Sequence, residues 1–180
     1  MTSIKRMLGV AIVAAALTST AAFSQNVSVN IKTPSELTGY RSYSIEKLHA
    51  TDSLIEPRML AAIDRQLTLK GWHEVPKGGD VLVTAVLASN NDPQQYFTFY
   101  NNLSNVAWNA TADPGLPGSV AQAPAGTLIL DMYDSRTGQL IWRSTATDFL
   151  GGNSDKNQLK VDSAINKMFD SLPWDDTPFR

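Results

Sequence analysis

Apolar and polar positions alternate most regularly between Gly126 and Phe149, GTLILDMYDSRTGQLIWRSTATDF, and this stretch predicts a β-hairpin. Leu128, Leu130 and Met132 alternate with Ile129, Asp131 and Tyr133. The cluster Asp134-Ser135-Arg136-Thr137-Gly138 then leads into a second run, from Gln139, rich in β-branched and aromatic residues. Gly138 can take the positive φ that closes such a turn, and Asp134 can accept hydrogen bonds from turn amides. Whether Ile141 or Trp142 faces the core stays open, because one bulge residue after the turn swaps them.

The same pattern predicts the other elements. Val27, Val29 and Ile31 alternate with Ser28 and Asn30 as a half-buried strand. A second strand spans Tyr40 to Ile45, with Tyr43 and Ile45 on one face. Ser53-Leu54-Ile55-Glu56 has the spacing of a capping box. The helix it opens is expected over Ala50–Lys70, with Met59, Leu60, Ala62, Ile63 and Leu67 as its stripe, Pro57 tolerated in the first turn and Gly71 as the stop. Trp72 to Val75 is a short strand, and Val81 to Ala88, apolar on nearly both faces, reads as a central one. A last helix over Ser154–Leu172 places Val161, Ile165, Met168, Phe169 and Leu172 on one stripe before Pro173.

These elements imply an α+β fold: a single antiparallel or mixed β-sheet with two α-helices packed on one face and the other face wetter. The connection through the first helix allows one parallel strand pair. Residues 91–125 interrupt the pattern as an aromatic-rich insert. Tyr96, Phe97, Phe99, Tyr100 and Trp108 stand there among asparagine, glutamine and proline, with no period beyond Tyr100. Large aromatics in such a setting need a partner or a groove, so these five are the candidate ligand- or partner-binding residues. The competing reading makes Tyr96 to Tyr100 an edge strand and folds Trp108 over the core.

Composition adds an address. Lys5 and Arg6, an apolar run from Met7 to Leu17 and small residues at Ala22 and Ser24 predict a cleavable signal peptide over residues 1–24, too short in its apolar core to span a bilayer. The remaining residues, 25–180, suffice for one domain. With no cysteine in the chain, a disulfide framework, a thiol nucleophile and the acceptor for a lipoprotein-type anchor are all excluded. The expectation is a soluble periplasmic protein without a stable membrane anchor. Loss of Lys5 and Arg6 moves the formal charge from −2 to −4, and the remaining basic residues are scattered, which argues against nucleic acid as a partner.

Candidate chemistry is thin. His49 and His73 are the two histidines, and no H-x-x-x-H or H-E-x-x-H spacing joins them to each other or to Asp52 or Glu74. No serine sits in G-x-S-x-G, and Gly78-Gly79 and Gly151-Gly152 lack the lysine and spacing of a phosphate loop. No catalytic residue, metal ligand or cofactor is therefore assigned. The alternative is a hydrolase or metal-dependent enzyme using His49 or His73. Asp131 and Arg143 are expected to form a cross-strand ion pair contributing roughly 0.2–1 kcal/mol.

The strand GYRSYSI, the helix IEPRMLAAIDRQLTLKGW, the strand DVLVTAVLA and the hairpin signature G-T-L-x-x-D followed by D-x-x-T-G-x-L-x-W-R together resemble the DUF4136 family of exported bacterial envelope proteins. Asp131, Thr137, Gly138, Leu140, Trp142 and Arg143 carry the most specific part. The resemblance implies an exported α+β domain of unassigned biochemical function, many relatives being lipoproteins; this chain departs from them in lacking the acylated cysteine. The expected role is non-catalytic: binding or envelope assembly, with an envelope protein or a small ligand as partner.

Overall fold

A computed structural model describes residues 26–31, 37, 39–87, 94–104, 126–147, 154–170 and 172. The expected leader, residues 1–24, lies outside them, as does Trp108. The elements are β1 (Val27–Ile31), β2 (Ser42–Ala50), α1 (Ile55–Leu69), β3 (His73–Glu74), β4 (Val81–Leu87), α2 (Gln94–Asn101), β5 (Leu128–Asp134), β6 (Leu140–Ala146) and α3 (Ser154–Asp170). One mixed six-stranded sheet has the order β1-β6-β5-β4-β2-β3. Strand β2 pairs in parallel with β3 and β4, and the other pairs are antiparallel.

The start of α1 differs from the capping-box expectation. Ala50 ends β2, and Asp52 Oδ1 accepts the Leu54 N–H at 2.9 Å, which turns the chain before the helix begins at Ile55. Glu56 Oε1 accepts from the Ala50 N–H at 2.9 Å instead of from Ser53, so the glutamate ties the helix to the strand end. The other end follows the pattern. Gly71 takes φ 80°, its N–H reaches the Thr68 carbonyl and the Trp72 N–H reaches the Leu67 carbonyl, the paired bonds of a Schellman stop.

Strand parity divides the sheet into two unlike faces. Val81, Val83, Ala85 and Leu87 of β4 join Leu128, Leu130 and Met132 of β5 in the main core. Against them pack Met59, Ile63 and Leu67 of α1 and Val161, Ile165 and Phe169 of α3. The two helices touch through Gln66 Nε2, which donates to Asn166 Oδ1 at 2.8 Å. Two bulges set the faces. In β6 the register passes from Met132↔Trp142 to Tyr133↔Leu140, leaving Ile141 as the extra residue. Both Ile141 and Trp142 consequently enter the core, the indole ring 5.5 Å from that of Phe169. In β2 the shift at Glu46 turns Lys47 and His49 away from α1 and onto the opposite face, level with Thr84 and Val86.

That opposite face is not the wet one the pattern implies. A third helix, α2, formed by the first part of the aromatic insert, covers it. Tyr96, Phe99 and Tyr100, spaced i, i+3, i+4, pack on Val86 and Ile129 as a second, smaller cluster. The run Tyr96–Tyr100 is thus helical and not an edge strand.

Candidate functional site

Beneath α2 a row of polar residues crosses four strands. Register places Lys47 of β2 beside Thr84 of β4, Thr84 beside Asp131 of β5, and Asp131 beside Arg143 of β6. Strands this deep in a sheet are normally apolar. Asp131 and Arg143 are 0% and 1% exposed, so the pair expected from the hairpin exists but is buried rather than surface-lying.

The contacts explain how two charges survive there. Arg143 Nε and Nη2 donate to Asp131 Oδ1 and Oδ2, both at 2.6 Å, in the side-on bidentate geometry that guanidinium and carboxylate share. Tyr100 of α2 and Tyr133 of β5 donate their hydroxyls to the same Oδ2 at 2.8 and 3.0 Å. The Tyr100 ring also lies over the guanidinium, 5.6 Å from centroid to Cζ. Burial works against the charge on Arg143, but the adjacent Asp131 carboxylate outweighs it and holds the guanidinium pKa above its ordinary value. Burial raises the Tyr100 pKa, and the Asp131 charge adds to the rise, so this hydroxyl stays a donor. Tyr100 is thereby a polar bolt from α2 to the sheet; the Tyr96 hydroxyl, donating to the Thr127 carbonyl, is a second.

The candidate aromatic residues therefore divide. Tyr96, Phe99 and Tyr100 are 0%, 3% and 1% exposed, their rings packed on the sheet. Phe97 belongs to α2. The open surface lies at the margin of the helix: a groove of about 300 Å³ between α2 and β2, lined by Lys47, His49, Gln95, Thr98 and Phe99. The Lys47 ammonium stands 5.0 Å from the centroid of the Phe99 ring and 3.5 Å from the Phe99 carbonyl oxygen. His49 Nδ1 faces Glu56 Oε1 at 3.5 Å. Sequence reasoning missed Lys47 because period-two parity without the Glu46 bulge puts it on the α1 face.

A second cleft of about 500 Å³ opens at the turn end of the hairpin, where Tyr40, Asp80, Asp134, Arg136 and Gln139 meet. Its carboxylates are occupied with the backbone around them. Asp134 Oδ1 accepts from the Arg136 and Thr137 N–H groups and the Thr137 hydroxyl, and Oδ2 from the Tyr40 hydroxyl at 2.8 Å. Burial alone would raise its pKa, but these donors lower it to about 2. Asp80 Oδ2 holds the start of β2 through the Arg41 and Ser42 amides and the Ser42 hydroxyl, and those bonds lower its pKa.

The histidines do not converge. His73 pairs with Ser42 at one end of β2 and His49 lies seven residues further along that strand, a separation of roughly 20 Å at the usual rise per residue. Among the described residues, no group of three or more His, Cys, Asp or Glu side chains is placed to hold a metal ion. Among them, too, no helix is long and apolar enough to cross a membrane.

Comparison with known proteins identifies the family. The model of the domain of unknown function DUF4136 matches residues 27–174, and the chain belongs to that family. Solved structures agree on the fold. A DUF4136 family protein from Bacteroides thetaiotaomicron superposes with a TM-score of 0.58 at 16% identity, over 83% of this chain and 96% of that one. The PelC dodecamer from Paraburkholderia phytofirmans gives 0.51 at 10% identity, over 85% and 100%. A comparison with curated proteins finds no match.

Proposed function

We propose that the protein is an exported, periplasmic, non-catalytic module that binds a small ligand or an envelope protein. The observation that carries this reading is the division of labour around α2. Asp131 and Arg143, expected from the sequence to be a cross-strand ion pair, direct their charges at each other and at two tyrosine hydroxyls that fasten the helix. The groove beside that helix instead offers a cation, an imidazole, an amide, a hydroxyl and an aromatic ring, side chains suited to recognition. Export rests on the leader-like first 24 residues.

Assembly is part of the same proposal. PelC, which shares the fold, is a dodecamer, and self-association of this chain is the form of assembly to examine first. Cross-linking in intact cells, followed by purification and mass spectrometry, is expected to return an envelope protein or linked copies of the chain from the periplasmic fraction. Recovery solely from the cytoplasm, or an unlinked monomer at every cross-linker dose with no bound small molecule in its mass spectrum, overturns the reading. Zinc content of the purified protein addresses the enzymatic alternative: stoichiometric zinc that is lost when His49 and His73 are replaced together would overturn the proposal.

A further inference from the structure

The polar row under α2 holds more hydrogen-bond donors than its described neighbours satisfy. Asp131 is its one carboxylate, and Asp131 already accepts four hydrogen bonds. Arg143 Nη1 and Thr84 Oγ1 are buried without a partner. Buried polar atoms are rarely left so unless water or a ligand completes them. At the outer end of the row the half-buried Lys47 ammonium lies within 4 Å of no carboxylate among the described residues. Its one acceptor, the Phe99 carbonyl, is at the limit of hydrogen-bond distance and already takes the Asn102 N–H.

The groove beside this row has a matching lining. Among the described residues, Lys47 and His49 are its basic lining and no acidic side chain lines it. Glu56, the carboxylate facing His49, is engaged by the Ala50 N–H. Phe99 supplies an apolar wall. An occupant that completes such a site brings acceptors and negative charge at one end and a short apolar body at the other.

We propose that the groove between α2 and β2 binds a small organic carboxylate. The carboxylate ion-pairs with Lys47 and lays its hydrocarbon part against Phe99. Lys47 gains a counter-ion in place of a long contact to a carbonyl already engaged by Asn102. The proposal rests on the reading of the chain as a binding module and assigns a ligand class to the groove.

Hexanoate is the probe, with hexanamide and hexylamine as controls, and amide chemical shifts of the labelled domain as the readout. Hexanoate is expected to give saturable shifts concentrated at Lys47, His49, Gln95 and Thr98, with the two controls at least about tenfold weaker, since hydrogen bonds to a charged group carry the difference. Lys47→Met, which keeps the apolar stem, is expected to weaken hexanoate by about tenfold or more. Equal affinity for hexanoate and hexanamide, shifts centred elsewhere, or unchanged binding by a folded Lys47→Met chain overturns the proposal. Failure of the unaltered domain to bind hexanoate while cross-linked partner capture persists removes the groove assignment and leaves the binding module standing.

Discussion

Replacing Asp131 by Asn tests whether the buried pair is what fastens the two sides of the structure together. The change keeps the shape and removes the charge, leaving the Arg143 guanidinium 1% exposed with Nη1 already unpartnered among the described residues, and because the amide offers one acceptor oxygen and one donor nitrogen, one of the two Arg143 bonds is lost to an N–H facing an N–H. Breaking a buried pair in this way costs about 3–5 kcal/mol, against a total of about 5–15 kcal/mol for a domain of this kind. Arg143→Met is expected to cost less, because the hydroxyls of Tyr100 and Tyr133 still solvate the carboxylate. The double change Asp131→Leu with Arg143→Met removes both charges, and such replacements are often close to neutral. Urea unfolding followed by tryptophan fluorescence and circular dichroism gives each loss as a shift in midpoint at constant slope; sucrose brings a variant too weak to fold in water into range. A loss under about 1 kcal/mol for Asp131→Asn, or a double variant no more stable than Asp131→Asn alone, would falsify the coupling argued from the geometry.

Three further outcomes are expected. Tyr96→Ala and Phe99→Ala are each expected to lose about 3–5 kcal/mol in urea unfolding without any partner present, as buried aromatics do; near-neutral values at both would return these rings to a recognition role. Gly79→Ala is expected to destabilise by about 1–3 kcal/mol, because its Cβ meets the β2 backbone, 2.6 Å from Ser44 N and from Tyr43 Cα. Gly78→Ala meets open space and strains only its φ of 73°, so a smaller thermal shift for Gly79→Ala than for Gly78→Ala contradicts the packing. The Asp134 pKa, lowered from 3.8 to about 2 in the folded chain, means the unfolded chain binds this proton first. Its stabilisation is full above about pH 4 and lost as the pH falls toward 2. Asp134→Asn is expected to flatten the decline of the urea midpoint over that window, and an unchanged slope speaks against the turn network.

The helices α1 and α3, and most of the strands, were legible because their evidence is local: a stripe of period 3.6 or an alternation of period two exists before any neighbour is present. The Gly71 stop and the Gly138 turn belong with them, since both follow from backbone freedom at one residue. Helix α2 was not legible. Its stripe is only Tyr96, Phe99 and Tyr100 in an eight-residue segment of otherwise polar and uncertain preference, and isolated segments so short are not stable helices in water. The sheet beneath decides it, by supplying Val86 and Ile129 for the rings and Asp131 for a hydroxyl. Likewise Asp131 and Arg143 look in sequence like residues of a solvated face; a tertiary cover changes their dielectric and so the size and sign of what they contribute. The bulges at Glu46 and Ile141 and the adjacency of β1 to β6 depend on hydrogen bonds between distant strands, to which alternation within one strand is blind. For that reason the groove at Lys47 and His49, which exists only because one bulge reverses the parity of β2, belongs to the tertiary structure alone.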